Sequence, residues 1–185
     1  MALLDRLKGI LLDPKNEWPK IAAEPATTQS LYTGWIMIFA AIGPLAMLAV
    51  GGGATIKFAI GTYIMALIIA FILALIVDAV TGSFGGAKDF VAALKLAAFS
   101  STASAVAGIF TVLGLLGGVL ALLAYIYSWY TFYLGAPILK KCSLDKALVF
   151  TIVVLLCWIG LWLLFSLALG GLGFIPRMGG LAMAR

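Results

Sequence analysis

The sequence predicts an all-α integral membrane protein: a five-helix transmembrane bundle with a short N-terminal amphipathic, interfacial helix. Three observations lead there. Of the 185 residues, 64% are hydrophobic and only 10% charged, where a soluble domain carries about a quarter charged residues. Five apolar segments, near 31–50, 57–79, 89–113, 115–134 and 146–169, are long enough for a bilayer, which takes about 20 residues at 1.5 Å rise each. The basic residues flank these segments with a strong bias to one side.

Residues 1–30 read as a cytoplasmic amphipathic segment. Leu3, Leu4, Leu7, Ile10 and Leu11 recur at helical spacing, with Asp5, Arg6 and Lys8 opposite. This is one apolar stripe of a short helix lying in the membrane interface rather than a signal peptide. Asp13-Pro14 reads as a stop and restart, since Asp caps well and Pro fits the first helical position. Trp18-Pro19 is expected to end the second short piece, with Trp18 at headgroup level.

The transmembrane domain then runs over 31–170, followed by a short tail, 171–185, on the outside. In the first span Gly43-Pro44 predicts a kink, and Gly51-Gly52-Gly53 a stop. The third segment, from Lys88 to Leu113, is the most distinctive. It carries Lys95, Ser100, Ser101, Thr102 and Ser104. Its small residues fall on ladders of four, Ala93, Ala97, Ser101, Ala105 and Ser100, Ser104, Gly108. Such ladders let a neighbouring backbone approach closely, so this segment reads as the central helix. Gly114 and Gly117-Gly118 predict a tight hairpin into the fourth span. Tyr125, Tyr127, Trp129, Tyr130, Phe132 and Tyr133 read as an aromatic interface belt on that span. Ser143 reads as the N-cap of the fifth.

Nine basic residues, Arg6, Lys8, Lys15, Lys20, Lys88, Lys95, Lys140, Lys141 and Lys146, fall on one side. Three, Lys57, Arg177 and Arg185, fall on the other. The side richer in Lys and Arg faces the cytoplasm, so the N-terminus is expected inside and the C-terminus outside. The net charge of +5 then suits topology and anionic headgroups at the cytoplasmic face rather than nucleic acid.

The chain has no histidine, and its two cysteines, Cys142 and Cys157, are placed in a loop and a helix. A disulfide and a metal site are therefore not expected. No phosphate loop, triad or carboxylate pair is found. The sequence predicts no catalytic residue, no cofactor and no enzyme activity. The candidate site is an intramembrane ion pair or polar site. Asp78, near the cytoplasmic end of the second span, and Lys95, about 9 Å into the third, could pair across the hairpin. Ser100, Ser101, Thr102 and Ser104 either pack against helices or line a path. Trp158, Trp162 and Phe165 on the last span read as packed or lipid-facing aromatics.

Several phrases together resemble a known family. They are Trp18, Ile21, Ala22 and Glu24 in a W-x-x-I-A-x-E phrase, FGGAKDFVAALKLAAFSS opening the third span, and YIYSWYTFYLGAPILKKCSLDKALVF joining the fourth and fifth. The chain resembles the bacterial branch of the Yip (Ypt/Rab-GTPase-interacting protein) family. That resemblance implies five spans with a cytoplasmic N-terminus. Its eukaryotic members act in vesicle traffic through Rab-type GTPases, and carry Asp-Leu-Tyr-Gly-Pro before the first span. Here Ser30-Leu31-Tyr32-Thr33-Gly34 stands in that place, without the Asp and the Pro, and GTPase binding is not carried over. The expected function is a non-enzymatic, multi-pass inner-membrane scaffold or adaptor. It would act through helix packing, oligomerisation and contacts with lipid or a membrane partner. The rival reading is a small oligomeric transporter, channel or lipid-moving protein, using the kinked first and polar third spans as its path.

Overall fold

The computed structural model describes residues 3–50 and 56–171. The Gly51-Gly52-Gly53 stop, Arg177 and Arg185 lie outside the described residues, as does the side chain of Phe165. The described residues form helices and turns, including five helices long and apolar enough to cross a membrane. These spans are Thr28–Ala49, Ile56–Phe84, Phe90–Phe110, Leu115–Lys140 and Leu144–Leu164, the last continuing as helix to Gly171. Two short helices precede them, α1 (Leu3–Leu12) and α2 (Pro14–Ala23).

The third span is central, as its small residues predict. It is 61% buried, against 17–22% for the other four. Spans one, two and four pack around it, and span five leans on spans two and four. Gly108 serves the close approach, for a Cβ there would stand 3.1 Å from the Cα of Gly43 on the first span.

The third span is not the continuous helix expected over 89–113. It breaks at Ser101 and tightens to a 3-10 helix over Gly108–Leu113. The cause is local competition for carbonyls. Ser100 Oγ donates to Leu96 O at 2.6 Å, Ser101 Oγ to Ala98 O at 3.0 Å, and Thr102 Oγ1 to the same Ala98 O at 3.4 Å. Hydroxyls bonding back to the preceding turn bend helices.

The first span is likewise interrupted. It has a π-helical turn at Tyr32–Ile36 and a discontinuity at Ala41. Gly43 and Pro44 occupy the first turn of the piece that follows, Ile42–Val50, where a missing N–H costs little. The kink therefore falls just before them. The turn between spans three and four is made by Gly114 alone, at φ 58°, a backbone conformation that suits glycine. Gly117 and Gly118 already belong to the fourth span.

That span runs to Lys140 rather than ending near 134, with Pro137 inside it. The extra turns hold Gly135 and Ala136 buried against the N-terminal segment and the third span, so tertiary packing overrides a helix-breaking sequence.

Candidate functional site

The two short N-terminal helices form a hairpin docked onto spans three and four. Its centre is a buried cation. Arg6, expected on the polar face of α1, is buried and donates to Glu17 Oε1 of α2 at 2.7 Å and to Glu24 just beyond it. Lys20 completes the set, 3.0 Å from Glu17 Oε2. Gly9 makes room for the acid, since a Cβ there would come within 2.5 Å of the Glu17 carboxyl group. Buried charges are tolerated only when paired and hydrogen-bonded, and Arg6 and Glu17 meet that condition.

Three ties hold the hairpin to the bundle. Trp18 does not end α2. Pro19 lies within the helix, which continues to Ala23, and Trp18 is 1% exposed. Its indole donates to the Thr131 carbonyl at 3.0 Å, and its ring lies on Gly135. A Cβ at Gly135 would stand 2.6 Å from Trp18 Cε2 and 2.7 Å from Leu96 Cδ1. Second, the Tyr127 hydroxyl donates to the Leu11 carbonyl at 2.9 Å and to Ile10 O at 3.3 Å. Third, Lys95 Nζ donates to Ile21 O at 2.9 Å and to Glu24 O. These carbonyls belong to the end of α2, where a helix leaves acceptors unsatisfied and favours a cation. Lys95 thus caps α2 from the third span.

Asp78 and Lys95 consequently do not pair. Asp78 Oδ1 meets Lys140 Nζ at 2.7 Å and accepts the Asp89 amide at 2.8 Å. Lys140, fully buried, also donates to the Asp89 carbonyl at 2.8 Å. Its own carbonyl accepts the Ala87 amide at 2.8 Å. Asp89 N-caps the third span through its side chain, accepting from Ala92 N at 3.0 Å. The second, third and fourth spans are therefore knotted at one end around Lys140.

The hydroxyl cluster is hydrogen-bonded throughout, with Ser100 and Thr102 buried, Ser104 half-buried and Ser101 exposed. Trp35 Nε1 of the first span donates to Thr102 Oγ1 at 3.1 Å. Thr131 Oγ1 of the fourth donates to Ser128 O at 2.8 Å and reaches Ser100 O at 3.3 Å. The Ser104 amide donates to Ser128 Oγ at 3.1 Å, and its hydroxyl to Ser101 O at 2.8 Å. Beside the break lies a cavity of about 50 Å³, lined by Ser100, Ser101, Ser104, Ser128, Trp129 and Trp158 among others. That is room for water, not for a solute. Trp158 packs edge-on to Trp129 at 5.9 Å, while Trp162 is exposed.

The aromatic run on the fourth span divides, and not all of it is free to face an interface. Phe132 is core, Tyr127 tethers α1, and Tyr125 and Tyr130 are exposed. Both cysteines are free thiols, and burial pushes the Cys142 thiol above its ordinary pKa. Among the described residues no cluster of His, Cys, Asp or Glu could hold a metal ion.

The residues that sequence reasoning missed are Arg6, Glu17, Gly135 and Lys140. One signal was present: a glycine amid the aromatics of a helix is unfavourable unless another group packs onto it, and Trp18 does so. Comparison with known families matches the Yip1 domain over residues 8–173. No curated protein and no solved structure matches the chain. With a match over nearly the whole chain, joining the N-terminal hairpin to all five spans, the protein belongs to the Yip1 domain family of membrane proteins.

Proposed function

We propose that this protein is a non-enzymatic scaffold or adaptor of the bacterial inner membrane, with its N-terminus in the cytoplasm. It presents a fixed N-terminal hairpin at the membrane surface to lipid or to a membrane partner, and assembles through its exposed helix faces. One observation carries the reading. The charges of the third span and the second span's end are used to hold the hairpin and the bundle together. Lys95 caps α2, and Lys140 takes Asp78. The strong Lys and Arg bias toward the hairpin side supports the orientation.

The transport reading has its own observation, the helix break at Ser101 beside the serine-lined cavity. Broken helices within a bundle are where transporters place their sites. Sealed liposomes containing folded protein decide between the two. Movement of ions, small solutes or labelled lipids above the level of empty vesicles would overturn the scaffold reading. Tight vesicles, with concentration-dependent self-association by cross-linking, are the expected result.

A further inference from the structure

The apolar belt of the bundle is not the same height all round. On the second span Ile56, Ile60, Ile64, Ile68, Phe71 and Leu75 form one exposed stripe. It is about 28 Å long at 1.5 Å per residue, close to a full hydrocarbon core. On the fourth span the densely exposed aliphatic stripe runs from Leu115 to Ile126, about 16 Å on the same measure, with only Tyr130 and Ile138 exposed beyond it. Beyond that point the hairpin covers the helix, tied on through Tyr127 and Trp18. Its outer surface mixes exposed charges, Asp5, Lys8, Asp13, Lys15 and Lys20, with exposed Leu3, Leu4 and Leu12. Unpaired charges require water or headgroups at their level. The hairpin's charges therefore lower the polar boundary of the bilayer on this face relative to the second span.

A groove opens immediately below the hairpin. It is shallow and open, with a volume of about 420 Å³, and is lined by Leu11, Val106, Phe110, Leu123, Ala124 and Tyr127, with Ala103 and Ala107 of the third span between them. From Tyr127 to Leu120 it extends about 10 Å along the fourth span. All its lining residues but Tyr127 are apolar. At the hairpin end the cations differ in their engagement. Arg6 and Lys20 are taken by Glu17 and Glu24. Lys8, one turn from Leu11 on α1, and Lys15 make no ion pair among the described residues. Asp5 lies a further turn from the groove, and the nearer acid, exposed Asp13, accepts a hydrogen bond from Asn16 at 2.7 Å.

We propose that this groove binds one acyl chain of an anionic phospholipid, with the headgroup phosphate drawn down to Lys8 and Lys15. The apolar lining selects a hydrocarbon chain, the lowered polar boundary places a headgroup beside it, and the two lysines select a negative one. The site rests on the reading of the hairpin as a membrane-surface element, but not on whether the protein is a scaffold or a transporter.

The test uses full-length protein in vesicles containing phosphatidylglycerol or phosphatidylcholine with a photoreactive diazirine on one acyl chain, with cross-links mapped by mass spectrometry. Cross-links should concentrate on the segments around Val106–Phe110 and Leu120–Ala124, several-fold more for phosphatidylglycerol than for phosphatidylcholine. Ala124→Phe should displace them. Lys8→Gln with Lys15→Gln should erase the headgroup preference while keeping the acyl contact. Should Ala124→Phe fail to fold, Leu120→Trp fills the groove from its other end. Labelling spread evenly over the exposed stripes of spans two and five, or unmoved by groove filling, overturns the proposal. Protein–protein cross-links at Leu123 in place of lipid ones would overturn it too, assigning the groove to a second copy. Because the flux assay reads transport and this one reads lipid position, either reading can fail alone.

Discussion

Two lysines are buried in this bundle, and they are held in different ways. Lys140 is satisfied by a carboxylate, Asp78, together with the carbonyl of Asp89. Lys95 is satisfied by carbonyls at the end of α2, with the Glu24 side chain turned instead to Arg6. The first joins spans to one another. The second joins a span to the N-terminal hairpin. A buried cation needs opposing charge or oriented dipoles, and the partner chosen decides which parts of the molecule come apart when the cation is lost.

The largest effect is expected from the hairpin's own charge. Arg6→Met leaves buried Glu17 with only the half-exposed Lys20, a loss near the lower end of the cost of breaking a buried pair, about 3 kcal/mol. It should undock α1 and α2 while the spans stay folded. Trypsin should then cut at Lys8, Lys15 or Lys20 in vesicles where the wild-type protein resists. Unchanged protection would separate the hairpin's docking from this ion pair.

Lys95→Met should give the same local release by another route, stranding carbonyls worth about 1–3 kcal/mol each when unsatisfied. Lys140→Met should do the opposite. Global thermal unfolding should fall by an amount near the lower end of the buried-pair range, about 3 kcal/mol, because Asp78 keeps partial access to water, and the hairpin should stay protected. If both lysine variants released the hairpin alike, the distinction between the two sites would collapse.

Gly135→Ala sharpens the comparison, because it loads the hairpin contact without touching a charge. Overpacking costs about 1–3 kcal/mol, and here the new methyl meets Trp18 and Leu96 at under 3 Å. Blue-shifted emission attributable to Trp18, by difference from Trp18→Phe, should be lost. The smallest effect concerns Lys141, the residue at φ 54° ending the fourth span. A left-handed conformation costs a side-chain-bearing residue about 1–2 kcal/mol. Lys141→Gly should therefore raise stability slightly, by about 1 kcal/mol or less once glycine's freedom in the unfolded chain is counted, and should leave both lysine sites intact.

Much of the architecture was legible in the residues alone. Five apolar runs, the small-residue ladders and the basic flanks required a bundle with a central third span. Those signals depend on length, side-chain size and charge, which the bilayer reads one segment at a time. The hairpin's internal lock was less visible. Arg6 lies on the face of α1 opposite Leu4 and Leu11 and so looks solvated, yet that face meets α2. A helical wheel shows which residues share a face but not what lies against it.

The pairing of charges was decided only in three dimensions. Asp78 and Lys95 are close in sequence across a short hairpin, which favoured them as partners. Lys140, 62 residues from Asp78, took the acid instead, and Lys95 turned to α2. Sequence proximity bounds which groups can meet. Which ones do meet depends on where each helix ends, on Gly135 admitting Trp18, and on hydroxyls breaking the third span at Ser101. Composition and periodicity, then, settled that this chain is a membrane bundle and which helix stands at its centre, because lipid tests each segment against the same apolar solvent. Tertiary structure alone determined that its buried charges secure the N-terminal hairpin, because each buried charge is stabilised only by the particular groups that packing brings within hydrogen-bond reach.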